Sequence, residues 1–106
     1  MNVVDVSKVR RFSPEKMQKL NLFDTPRVLC DVYCLEPGQT QKPHTHADSD
    51  KIYYVLEGSG KIRVGDEVAD LPAQHAVLAP AGIEHGVIND SAERLVLFVV
   101  AAPKFF

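Results

Sequence analysis

Long apolar runs are missing from the front of this 106-residue chain: residues 1–12 set Asp5, Lys8, Arg10 and Arg11 among valines, with no unbroken hydrophobic stretch. Neither a signal peptide nor a transmembrane span is expected, and a cytoplasmic location follows by default. An excess of charge is missing too. Twelve Lys and Arg against fourteen Asp and Glu leave a formal net charge of −2, and the basic residues are scattered rather than clustered. That leaves no field for a phosphate backbone, so nucleic acid is not an expected partner. Cysteine is scarce, with only Cys30 and Cys34. They lie four apart in a stretch, 28–35, whose β-branched and aromatic residues read as a strand. Four strand steps put them roughly 13 Å apart, beyond disulfide reach. Both are expected as small apolar residues on one strand face, and no disulfide scaffold is indicated. Repeats, low-complexity segments and internal linkers are absent as well. A chain of this length, nearly half apolar, suits one domain over residues 1–106 with a small core that gains from a partner subunit.

Two kinds of local signal are present. Ser13-Pro14-Glu15-Lys16 supplies an N-cap, a proline at the first helical position and an early acidic residue, which predicts a short helix over 13–20. After Thr25-Pro26 the pattern changes to short apolar runs divided by turn residues such as Pro37-Gly38, Gly58-Ser59-Gly60, Gly65-Asp66 and Asn89-Asp90. Strands are predicted at 27–35, 41–46, 51–56, 61–64, 67–71, 76–79, 85–88 and 95–101. Many short strands at this spacing indicate an all-β fold, an antiparallel sandwich or barrel of the jelly-roll kind with one short N-terminal helix.

Histidine is rare and unevenly placed. Of four in the chain, His44 and His46 stand two apart after Pro43, and His85 lies in Pro80-Ala81-Gly82-Ile83-Glu84-His85. Residues two apart on a strand point to one side, so His44 and His46 can present both imidazoles inward, and His85 at the start of another strand can close a face of three. Such a face suits a divalent metal and leaves positions open for water, substrate or dioxygen. The alternative is histidines that hydrogen-bond to carboxylates in a polar interior. His75, on the entry to a strand, reads as exposed, and Asn89 as the brace of a turn.

The two clusters also carry a resemblance. Gly38, His44, His46 and Gly58 fall at the spacing of the first cupin motif, and Pro80, Gly82, His85 and Asn89 at that of the second. The chain therefore resembles a small single-domain cupin over residues 38–89, which implies a double-stranded β-helix, or cupin barrel, holding Fe, Mn, Ni or Zn on His44, His46 and His85. The resemblance is specific for fold and not for reaction, since cupins include oxygenases, isomerases, decarboxylases, storage proteins and sensors. Gln74 stands where that pattern opens its second motif with glycine.

Lys51 stands where the first motif usually has a ligating glutamate. An ammonium about 5 Å from a divalent ion, at an effective dielectric of about 20, repels it by roughly 7 kcal/mol. Lys51 must therefore turn away, pair with an anion or lose its proton. Asp50 is the substitute ligand one residue earlier, though a one-residue shift reverses side-chain direction and needs a bulge; otherwise it is a solvated loop carboxylate. If no carboxylate binds, the site keeps its full positive charge and favours an anionic ligand, with Lys51 pairing to it. A rim salt bridge from Lys51 to Asp48, Asp50 or Glu57 is the competing arrangement. Tyr53 shares the side of Lys51 and is a candidate to donate a proton or hydrogen bond to substrate, or else to pack in the core.

Residues 95–100 are apolar on both faces, which requires cover on both sides. With Ala101, Ala102, Phe105 and Phe106 following, a homodimer that buries this strand and the N-terminal segment is expected, the alternative being cover by the chain's own helix. The functional expectation is a metal-binding cupin, an oxygenase or isomerase acting on a small anionic metabolite, similar to the three-histidine cupin dioxygenases. Lys51 and Tyr53 would serve as catalytic groups. The alternative is a non-catalytic small-molecule or metal-binding module, because no general base is evident beyond Lys51, Tyr53 and Glu84.

Overall fold

A computed structural model describes residues 1–104. Nine strands form: β1 (Gln18–Asp24), β2 (Leu29–Leu35), β3 (Thr40–His44), β4 (Asp50–Glu57), β5 (Ser59–Val64), β6 (Glu67–Pro72), β7 (Ala76–Ala79), β8 (His85–Ile88) and β9 (Leu95–Ala102). They build two antiparallel sheets, ordered β1-β2-β9-β4-β7 and β3-β8-β5-β6, which face each other as a jelly roll. The eight expected strands are all present, and each end lies within two residues of its predicted place.

No helix forms over 13–20. The one helical turn among the described residues is a short 3-10 segment, Val6–Lys8, capped by the Asp5 carboxylate, which accepts the Ser7 N–H at 3.0 Å. Ser13 does make a cap-like local bond, its hydroxyl accepting the Glu15 N–H at 3.2 Å, but the chain leaves that turn extended and becomes β1. The period of two in Leu20-Asn21-Leu22 decides this. Leu20 and Leu22 pack against Val32, Cys34 and Val96 on the outer side of the larger sheet, while Met17 packs into the core between the sheets. An N-cap contributes about 1 kcal/mol, whereas burying two leucines contributes about 1.5–3 kcal/mol each, so packing prevails.

The core between the sheets is built on Tyr33, Leu35, Tyr53, Val55, Leu95 and Leu97, all but Tyr33 fully buried. β9 lies between β2 and β4, so both its edges are paired, and its two faces are covered by different layers. Leu97 and Val99 enter the inner core, and Val96 joins the outer cluster, where Val6, Val9 and Phe12 of the chain's own N-terminal segment cover it. The cover expected from a helix or a second subunit thus comes in part from the N-terminal segment, whose only helical piece is the single 3-10 turn at Val6–Lys8. Phe105 and Phe106, expected at a subunit contact, lie outside the described residues. Cys30 and Cys34 are free and buried on β2, as its spacing predicted.

One loop position departs from the usual backbone. Gln74 adopts φ 70°, held there because its N–H donates to the Val55 carbonyl at 2.8 Å while the Val55 N–H donates to the His75 carbonyl at 2.9 Å. Left-handed backbone costs a non-glycine residue about 1–2 kcal/mol, of which glycine recovers all but the roughly 0.5–1 kcal/mol it loses in chain entropy. Gln74→Gly is expected to stabilise the fold by about 0.5–1 kcal/mol, read as a higher urea midpoint with an unchanged slope.

Candidate metal centre

The site is built by the pairing of β3 with β8. Gln41 faces Val87 and His44 faces His85, so β3 spends one residue more than β8 between those pairs, a bulge at Lys42 and Pro43. Gln41 and His44 are three apart and would lie on opposite faces of a regular strand. The bulge brings both inward, and Pro43, which has no N–H to pair, suits the interrupted ladder. Gly86 admits the displaced chain, because a Cβ there would lie 3.0 Å from the Gln41 carbonyl oxygen and 3.1 Å from Pro43. Just past the end of β3, the His46 carbonyl accepts the Gly82 N–H at 2.8 Å, which ties the first motif to the turn of the second.

Three imidazoles meet as a result. Ring centroids of His44 and His85 lie 4.2 Å apart, those of His44 and His46 4.8 Å and those of His46 and His85 5.8 Å. One nitrogen from each ring can be chosen so that all lie within 4.8 Å of one another. The Nδ1–H of His44 donates to the Lys42 carbonyl at 2.9 Å and that of His85 to the Ile83 carbonyl at 3.0 Å, the tautomer being assigned from those acceptors. Both Nε2 atoms are thereby left unprotonated with a lone pair toward the interior, as metal-bound histidines require, although that of His44 faces the Lys51 Nζ. Burial pulls His44 down to about 4, with the Lys51 charge adding, and lowers His46 and His85 in the same way, so all three rings are neutral near pH 7. The His85 Nε2 is buried without a hydrogen-bond partner among the described residues. An orphaned acceptor of this kind costs about 1–3 kcal/mol, a cost that a bound cation would remove. The group is suited to hold a divalent metal ion, and imidazole donors alone do not select among first-row ions.

Lys51 reaches the same space from the opposite sheet. It is 2 % exposed and points inward, with Nζ 3.4 Å from the His44 Nε2 and 5.2 and 5.3 Å from the ring centres of Tyr33 and Tyr53. Burial, with Lys19 nearby, lowers its pKa to about 7, and Asp31 opposes that shift. The rim salt bridge does not form. Glu57 pairs with Arg10, and among the described residues no carboxylate lies in ion-pair range of Lys51.

Asp50, expected as a possible further ligand, lies elsewhere. It is exposed, and its Oδ1 accepts the Ala81 N–H at 2.9 Å, bracing the turn at 80–82. β4 runs without a bulge through Asp50 and Lys51, so consecutive side chains point to opposite sides and only Lys51 faces the histidines. Tyr53 does face inward, 0 % exposed, and its hydroxyl donates to the Gln41 Oε1 at 2.7 Å. Gln41 in turn donates to the Tyr33 hydroxyl at 3.2 Å, and burial holds both phenols well above their usual pKa. Tyr53 is thereby engaged in a bond that links the two sheets. Gln41 escapes a reading of the sequence; the only signal for it is a polar residue within a strand. Glu84 pairs with Arg63 at 3.4 Å on the surface, His75 is exposed, and Asn89 braces its turn through the carbonyls of Leu35 and Glu93. A cavity of about 470 Å³ opens beside the site, with His44, His46, Lys51 and Tyr33 in its wall.

A jelly roll in which histidines from two neighbouring strands, β3 and β8, and the residue just past β3 meet on the inner wall defines a barrel suited to carry a metal. Residues 31–101 match the cupin domain family, and the chain belongs to it. The crystal structure of the TT1209 protein of Thermus thermophilus superposes with a TM-score of 0.95 at 50 % identity, covering 97 % of this chain and 98 % of that one. A protein of Streptomyces coelicolor is 35 % identical over 75 residues, 69 % of each chain. A double-stranded β-helix protein of Klebsiella pneumoniae shares the fold, with a TM-score of 0.90 at 24 % identity over 97 % of this chain and 90 % of that one. Among the described residues no helix is long and apolar enough to cross a membrane.

Protein purified without an affinity tag is expected to carry about one equivalent of a divalent ion by elemental analysis, and a His44→Ala, His46→Ala double variant to carry none. Added metal at about a hundredfold excess over its dissociation constant should stabilise the wild type by about 2.7 kcal/mol and leave the double variant unmoved.

Proposed function

We propose that this chain is a metal-binding cupin that takes a small anionic metabolite onto an ion held by His44, His46 and His85, and oxygenates or isomerises it in the cytoplasm. The observation that carries this reading is Lys51, a buried lysine beside three neutral imidazoles and without a carboxylate partner among the described residues. With no acidic ligand in the set, the charge of the ion is left for a bound anion to balance, and that anion would in turn favour the protonated form of Lys51. An ion bound there would supply Lewis acidity and, for a redox-active metal, electron transfer. Lys51 would hold and orient the anionic group as it gives up the His44 Nε2. Tyr53, whose hydroxyl is committed to Gln41, would buttress His85 from 6.0 Å rather than exchange protons.

That commitment of Tyr53 favours a second reading, a binding module without turnover, since it removes one of the few acid–base groups at the site. Dioxygen consumption or product formation by iron-loaded protein with a panel of small carboxylic acids would support the enzyme; stabilisation by an acid without turnover would support the module.

Lys51→Glu supplies the carboxylate that the cupin pattern usually has. It is expected to tighten metal binding at least about tenfold and to weaken binding of a simple carboxylate by a similar factor, both read by calorimetry. Unchanged affinities for both would overturn the anion reading.

A homodimer is the proposed assembly. Ile52 and Leu78, partners across β4 and β7 on the outer face of the larger sheet, are 43 % and 52 % exposed. Apolar surface of this kind suits a second copy. Sedimentation is expected to give two chains for the wild type and one for an Ile52→Lys, Leu78→Glu variant.

A further inference from the structure

A second ammonium, that of the exposed Lys19, stands at the open side of the cavity beside the histidines. Lys19 lies on β1 opposite Tyr33, and its Nζ stands 5.2 Å from the Tyr33 ring centre, the same distance as the Nζ of Lys51. The two charges are therefore no more than twice that distance apart, and both line one cavity of about 470 Å³. Among the described residues neither has a carboxylate in ion-pair range. Lys42 lines the same space. Asp31 is the acidic group in this wall, and its Oδ1 accepts from the Asn21 side-chain amide at 2.9 Å. Against three lysines one carboxylate leaves the lining of the cavity with a net positive charge, although Asp31 offsets part of the Lys51 charge. Met17 and Leu29 supply apolar wall beside these charges.

Resting on the reading of an anion-binding metal site, we infer that the ligand carries two acidic groups joined by a short apolar spacer, one held at the histidines and Lys51, the other by Lys19. A short-chain dicarboxylate is the class that fits: its second carboxylate pairs with Lys19, and the wall of the cavity includes apolar side chains against which a spacer can rest. Lys19 is then the residue that sets specificity, and the Tyr33 ring keeps its ammonium in place by cation–π attraction.

The test is calorimetry on zinc-loaded protein with glutarate and with pentanoate, acids of equal carbon number that differ in the second carboxylate, using wild type, Lys19→Met and Lys19→Arg. Glutarate is expected to bind the wild type about tenfold more tightly than pentanoate, a preference lost in Lys19→Met and kept in Lys19→Arg. Equal affinity for the two acids, or a glutarate preference that survives in Lys19→Met, would overturn this inference while leaving the single-anion site in place. Binding of neither acid by protein that retains its zinc would overturn the anion site and the inference with it.

Discussion

His44 and His85 face each other across an antiparallel strand pair with their rings 4.2 Å apart, and His46 closes the group from the chain just beyond β3. Imidazoles this close tolerate one another only as neutral rings, and burial enforces that state. Neutral rings whose Nδ1 protons are given to backbone carbonyls, as in His44 and His85, direct lone pairs at a common point. Lone pairs converging without a cation repel, so the backbone that fixes the rings also creates the demand for a positive partner. The bulge, the glycine opposite it and the carbonyls that orient the rings all serve this one arrangement.

The sheet opposite answers that demand with a lysine. Lys51 comes from β4, so the polar centre is shared between two layers that otherwise meet through hydrocarbon. Gln41 performs a similar service nearby, accepting from Tyr53 and donating to Tyr33 on the far sheet. Buried polar groups cost stability unless paired, and here they pair across the sandwich, which fixes the spacing of its layers as side-chain volume alone would not. The amine that stands against His44 is adaptable in a way the imidazoles are not: a chain of methylenes carries it, and it can withdraw when a cation and its counter-anion enter.

Much of this is legible in one dimension. Strand alternation places β7 and β8 at their observed ends, puts His44 and His46 on one side, and aligns Tyr53 with Lys51 rather than with Asp50. The lysine's direction follows from the same parity, but its partner does not, because salt bridges at a rim and contacts at a centre are equally compatible with an alternating pattern. Asp50 leaves ligand and loop carboxylate both open in the sequence because its bond to the Ala81 N–H joins residues far apart along the chain. The segment leading into β1 reads as a helix because cap signals are local and strong, whereas the burial that overrides them depends on β2 and β9 lying alongside. Lys19 comes into view only with that strand. Gln41 is hidden by the bulge, since spacing from His44 assigns it to the wrong face.

The bulge at Lys42 and Pro43 also bears on how such a barrel can drift over generations. Substitutions along β3 alter one side chain at a time, but loss of a single residue there would restore a regular ladder and turn either Gln41 or both histidines toward solvent. The strand would still pair and the barrel would still close, so a descendant could keep its shape while shedding its centre in one step. Length in this stretch, as much as the presence of His44 in it, separates a barrel suited to hold a cation from an empty one.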